Sequence, residues 1–72
     1  EHIMLADELR MLKTTLKMFS DTSIVLETNK KVVVRCPDDI EARGLLRTLR
    51  HEGFCVFMKK GLKTDHYYVA VY

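Results

Sequence analysis

Five apolar residues, Leu5, Leu9, Leu12, Leu16 and Phe19, recur at intervals of four, three, four and three residues. An α-helix with one buried stripe gathers that spacing onto a single side, so the chain is expected to open with an amphipathic helix running to about Phe19. Such a helix needs an apolar surface to lie on, and the 72 residues, 1–72, leave room for one domain at most. A chain this short buries only about 60% of the surface its unfolded form exposes, so a stability of a few kcal/mol is expected. The surface that receives the helix must therefore come from the segments that follow it.

Those segments read as two hairpins around a second helix. The polar cluster Ser20-Asp21-Thr22-Ser23 stops the first helix, and Ile24-Val25-Leu26 begins a strand that reaches Glu27. Thr28-Asn29-Lys30 reads as a tight turn, with Asn29 as the residue that tolerates positive φ. Lys31 to Cys36 forms a second strand, and Val32-Val33-Val34, apolar on consecutive positions, suits a central place in a sheet. Pro37 has no amide to donate and closes that strand. Asp38 and Glu41 then sit where the free amides and the positive dipole end of a second helix favour carboxylates. Ala42, Leu45, Leu46 and Leu49 give this helix its buried stripe, and Gly53 caps its C-terminus. Gly44, inside it, costs about 1 kcal/mol relative to Ala and points to close packing against a neighbour. Phe54 to Lys60 is a third strand, Gly61 to Asp65 a loop, and His66 to Tyr72 a fourth strand.

The predicted class is α+β with the order αββαββ: a four-stranded antiparallel sheet with both helices packed on one face. The same connectivity results from moving the first strand of a ferredoxin-like βαββαβ unit to the end of the chain. It makes the second and fourth strands central, in the spatial order third, fourth, second, first. The stretch Leu12 to Lys17 is similar to Leu45 to Arg50 at a constant offset of 33, in keeping with two related helix-hairpin halves. With 47% hydrophobic and 31% charged residues the chain should fold without metal or disulfide staples, and no cofactor is expected. No apolar run approaches the roughly 18 residues of a membrane span and no secretory pattern opens the chain, so a cytoplasmic protein without a membrane partner is expected. Glu1-His2-Ile3-Met4 reads as a cloning remnant ahead of a native initiator Met4, which would leave His2 without functional meaning.

Strand alternation predicts what the helix-free face of the sheet carries. Ile24, Leu26, Val32, Val34, Phe54, Val56, Met58, Tyr67, Val69 and Val71 should point at the helices. The other face then carries Val25, Glu27, Lys31, Val33, Arg35, Cys55, Phe57, Lys59, His66, Tyr68, Ala70 and Tyr72. Single-stranded nucleic acids bind open sheets by stacking bases on aromatic rings while Lys and Arg hold phosphates. Phe57 and Tyr68 are the candidate platforms, and Lys31, Arg35 and Lys59 the candidate phosphate holders. The RNP consensus of RNA-recognition motifs is missing, and a half-apolar sheet face is equally suited to a protein partner or a second copy.

A second basic surface is predicted on helix two, where Arg43, Arg47 and Arg50 share one side. Arg10, Lys13 and Lys17 do the same on helix one. Solvated faces with intrahelical pairs such as Asp39 with Arg43 account for the same spacing. Met4, Met11 and Met18 recur every seven residues beside the leucine stripe, and exposed methionines suit an adaptable partner surface or homodimer.

Cys36 and Cys55 lack the spacing of a zinc site and read as free buried thiols. Arg35-Cys36-Pro37, where a strand runs into a helix, resembles the Cys-Pro-x-Pro start of bacterial sulfur-carrier proteins. That resemblance implies a reactive Cys36, although Asp39 stands where the second proline would be, and Asp38 and Asp39 oppose a thiolate. The stretch from Thr28 to Tyr72 resembles, in architecture, the double-wing DNA-binding domains of phage transcription activators, which implies a concave basic surface built from a helix and its hairpins. No His pair, Gly-rich phosphate loop or nucleophile elbow is present, and no small-molecule substrate is indicated, so an enzyme is not expected. His51 is expected to interact with the dipole at the end of helix two. The expectation is a small nucleic-acid-binding module, a regulator of transcription or RNA use; the alternative is a protein-interaction or homo-oligomerisation module.

Overall fold

The structure, a computed structural model, describes residues 3–72. Glu1 and His2, the first half of the expected cloning remnant, lie outside the described residues. The elements are α1 (Ala6–Leu16), β1 (Ser23–Glu27), β2 (Val32–Cys36), α2 (Asp39–His51), β3 (Val56–Lys60) and β4 (Tyr67–Val71). The strands form one antiparallel sheet in the order β1-β2-β4-β3, with β2 and β4 central as the connectivity predicted. α2 packs on β2, β3 and β4, and α1 lies beside α2 on the same side. Val32, Val34, Cys36, Val69 and Val71 from the sheet, Ala42, Leu45 and Leu49 from α2, and Leu12 from α1 are fully buried together.

Local chemistry sets the helix ends. The Asp38 carboxylate accepts from the Glu41 amide at 2.8 Å, which starts α2. At its other end Gly53 takes φ +98°. The Gly53 amide donates to the Arg50 carbonyl at 3.0 Å and the Phe54 amide to the Leu49 carbonyl at 3.0 Å, a Schellman closure that turns Phe54 into the core. The buried Thr15 hydroxyl of α1 donates to both carboxylate oxygens of Glu52 at 2.7 and 3.0 Å, pinning α1 to the end of α2.

α1 is shorter than its periodicity predicted. It ends at Leu16, and Phe19 packs against the core from the turn that follows. Leu5 precedes the helix and is 64% exposed, while Met4 takes the buried place at 7% exposure. The Met4 amide donates to the Asn29 carbonyl at 2.8 Å and the Glu8 carboxylate accepts from the Leu5 amide at 2.9 Å, so the start of α1 is anchored to the β1–β2 turn. That turn also differs from expectation, because no non-glycine residue among those described has positive φ, Asn29 included. Thr28 holds it instead: its hydroxyl oxygen accepts from the amides of Lys30 and Lys31 at 3.1 and 3.0 Å.

Gly44 faces Phe19, as its place inside a helix implied, but a Cβ there would stand 3.5 Å from Phe19 Cε1, an ordinary contact distance. Gly44→Ala should therefore raise stability by up to about 1 kcal/mol, through helix propensity without a clash. A urea-unfolding midpoint that falls in this variant would show that Phe19 packs more tightly than described.

Candidate nucleic-acid interface

Side-chain parity holds in β2, β3 and β4 and breaks in β1. Ile24 pairs with Val34, and Leu26, two residues on, pairs with Val33, the next residue of β2, so one extra residue is accommodated at Val25. Such a bulge reverses the faces of everything after it. Leu26, expected toward the helices, lies opposite Val33 on the open face, and Glu27, expected on the open face, lies opposite the buried Val32 on the helix side. There its carboxylate meets the Lys13 ammonium of α1 at 3.2 Å. The bulge thus adds an aliphatic side chain to the open face and removes a negative charge from it.

Cross-strand register arranges that face in rows. Leu26, Val33, Ala70 and Phe57 follow one another across the sheet, and Arg35, Tyr68 and Lys59 form the next row. Phe57 and Tyr72 meet edge to face, with ring centroids 5.7 Å apart. Phe57 remains 61% exposed. The β3–β4 loop projects beside the face, and together they enclose an open concavity of about 700 Å³. Its lining holds Val25, Leu26, Val33, Phe57, Tyr68, Ala70 and Tyr72 as an apolar and aromatic floor, with Lys31, Lys59, Lys60 and Lys63 around it and, among the described residues, no carboxylate.

Of the expected site residues, the structure brings together Lys31, Phe57, Lys59 and Tyr68. Arg35 shares their face but lies outside the concavity. Arg43, Arg47 and Arg50 do gather, with Leu46 and His51, around a separate depression of about 460 Å³ on α2. Because α2 covers the other side of the sheet, the two basic surfaces face away from each other and α2 adds nothing to the concavity. Arg43 is partly engaged by Asp39 at 3.8 Å. Sequence reading missed Lys60, the last residue of β3, Leu62 and Lys63, which the loop carries to the rim, and Leu26, which the bulge delivers.

Two further expectations change. Cys55 is exposed and not buried. Cys36 is buried, and its thiol is pushed up to about 11 by burial and then by the nearby Glu41 and Asp38 carboxylates, the opposite of what the sulfur-carrier resemblance implies. Among the described residues no three His, Cys, Asp or Glu side chains converge as metal ligands. No described helix is long and apolar enough to cross a membrane.

Comparison with family models, with curated proteins and with solved structures returned no match. What the face can do follows from its own residues: an apolar, partly aromatic floor for flat or aliphatic groups, inside a rim of positive charge for an anion.

Iodoacetamide at neutral pH should label Cys55 in the folded protein and leave Cys36 unmodified until denaturant is added, read by peptide mass spectrometry. Comparable labelling of both thiols before unfolding would contradict the burial described for Cys36.

Proposed function

We propose that this chain is a small, non-enzymatic nucleic-acid-binding module, a regulator of transcription or RNA use, which receives its ligand on the open sheet face. The observation that carries the reading is the lining of the concavity, where Lys31, Lys59, Lys60 and Lys63 surround exposed rings and aliphatic side chains with no carboxylate among the described residues. Nucleic acid is the common partner that offers repeated negative charge and planar, apolar faces together. The formal net charge of only +2 makes the local distribution more informative than the total. The α2 surface of Arg43, Arg47 and Arg50 is auxiliary in this reading, since it lies behind the sheet.

One observation favours a second reading, a protein-interaction or homo-oligomerisation module. Met11 and Met18 of the α1 region are both exposed and line one shallow depression, a flexible apolar surface suited to a protein partner. Dimer mass in sedimentation without nucleic-acid binding would favour it.

Fluorescence anisotropy with labelled DNA and RNA tests the first reading. Neutralising about four phosphates should weaken binding about 50- to 150-fold between roughly 50 and 200 mM salt. Lys59→Ala and Lys63→Ala should each lower the magnitude of the log–log salt slope by about 0.7 to 0.9, with Arg47→Ala costing less than either. Binding that ignores salt, or a larger loss from Arg47→Ala, would move the site off the sheet.

A further inference from the structure

The open face carries its lysines in two groups at opposite ends of the sheet, with Arg35 of β2 at the same end as the second group. Lys31 sits in the β1–β2 turn, at the end of the sheet where Val32 pairs with Val71. Lys60 and Lys63 sit at the β3–β4 loop, at the opposite end, where Lys60 pairs with Tyr67. β3 is an outer strand, and β4 separates it from β2. Lys31 directly precedes β2, two strand spacings from β3, so five residues at about 3.4 Å each along the strands and two spacings of about 4.8 Å across them put the two groups roughly 20 Å apart, on a diagonal. The exposed ring of Phe57 and the aliphatic row beside it lie between them.

We infer, on the premise that the face binds nucleic acid, that its ligand is an unpaired strand laid along this diagonal, with bases on the floor and phosphates toward the two lysine groups. A duplex fits poorly. Its bases lie at the bottom of grooves, and the major groove, about 12 Å wide, admits a helix or a two-stranded ribbon. Four strands already span about 14 Å between the outer axes before side chains are added. A duplex resting here would meet the lysines through its phosphates while pressing charged backbone against an apolar floor, at a desolvation cost. An unpaired strand can turn its bases onto the same floor.

The geometry also separates the two expected platforms. A Cβ on Gly61 would stand 3.1 Å from Tyr68 Cε2 and 2.7 Å from Thr64 Oγ1, so the loop is seated directly on the Tyr68 ring. Tyr68 is a positioning residue beneath the lysine-bearing loop, and Phe57, with Tyr72 at its edge, is the stacking surface.

The test compares one labelled oligonucleotide, single-stranded and annealed to its complement, on the full chain at one salt concentration. The strand alone should bind at least about tenfold more tightly, and Phe57→Ala should weaken it about 5- to 150-fold while leaving duplex binding unchanged. Because the chain has no tryptophan, Phe57→Trp adds a direct readout: its fluorescence should be quenched by the single strand and not by the duplex. Phe57 is 61% exposed, so circular dichroism should report both variants folded. Duplex binding as tight as single-strand binding, or a neutral Phe57→Ala, would overturn the inference while leaving salt-dependent binding at the sheet intact. Failure of both forms to bind would overturn that premise as well.

Discussion

One added residue in β1 decides the chemistry of the open face. Without the bulge at Val25, strict alternation would place Glu27 among the lysines and turn Leu26 toward the helices. With it, Glu27 turns to Lys13 on α1, and the described lining of the concavity combines aliphatic, aromatic and cationic groups with no carboxylate. An exposed ion pair such as Lys13–Glu27 contributes little to stability, on the order of 0–1 kcal/mol. Its consequence is electrostatic: a carboxylate inside the concavity would repel the same anions that the four lysines attract. The bulge also twists an outer strand, one of the ways in which sheets discourage edge-to-edge association.

The remaining architecture holds this face in place from behind. α2 is closed at both ends, by Asp38 at its start and by the Gly53 turn at its finish, and that turn delivers Phe54 to the core just before β3 begins. β3 and β4 thereby carry Phe57 and Tyr68 outward while Val56, Val69 and Val71 fill the interior. Gly61 lets the loop settle on Tyr68 and carry Lys63 to the rim beside Lys60, the last residue of β3. Packing on one side of the sheet and presentation on the other are two results of the same alternation.

Much of this was legible in the residues. The two-helix, four-strand order and the central places of β2 and β4 follow from hydrophobic period, Pro37 and Gly53, all of which act locally. Phe57, Lys59 and Tyr68 were placed correctly because β3 and β4 alternate without interruption. Leu26 and Glu27 were misplaced because a bulge depends on pairing with β2 and on the pull of Lys13, neither of which a single strand reveals. Lys60 was passed over because it ends β3 opposite Tyr67, on the alternate assigned to the helix side, and Lys63 because it sits in a connection, where alternation has no meaning. The dense run Lys59-Lys60-Gly61-Leu62-Lys63 was the available signal, with Leu62 left 93% exposed at the loop. The Arg43, Arg47 and Arg50 stripe was read correctly as a helical face, but its separation from the sheet surface is a tertiary fact.

The face of β1 after Val25 is the point on which the account turns, and nuclear Overhauser effects in the folded protein read it directly. The account predicts contacts from the Leu26 methyl groups to Val33 and Ala70, and from the Glu27 side chain to Lys13. Leu26 contacts to Leu12 or Leu16, with Glu27 opposite Lys31, would mean an uninterrupted strand and a carboxylate within the lysine rim, and would contradict it.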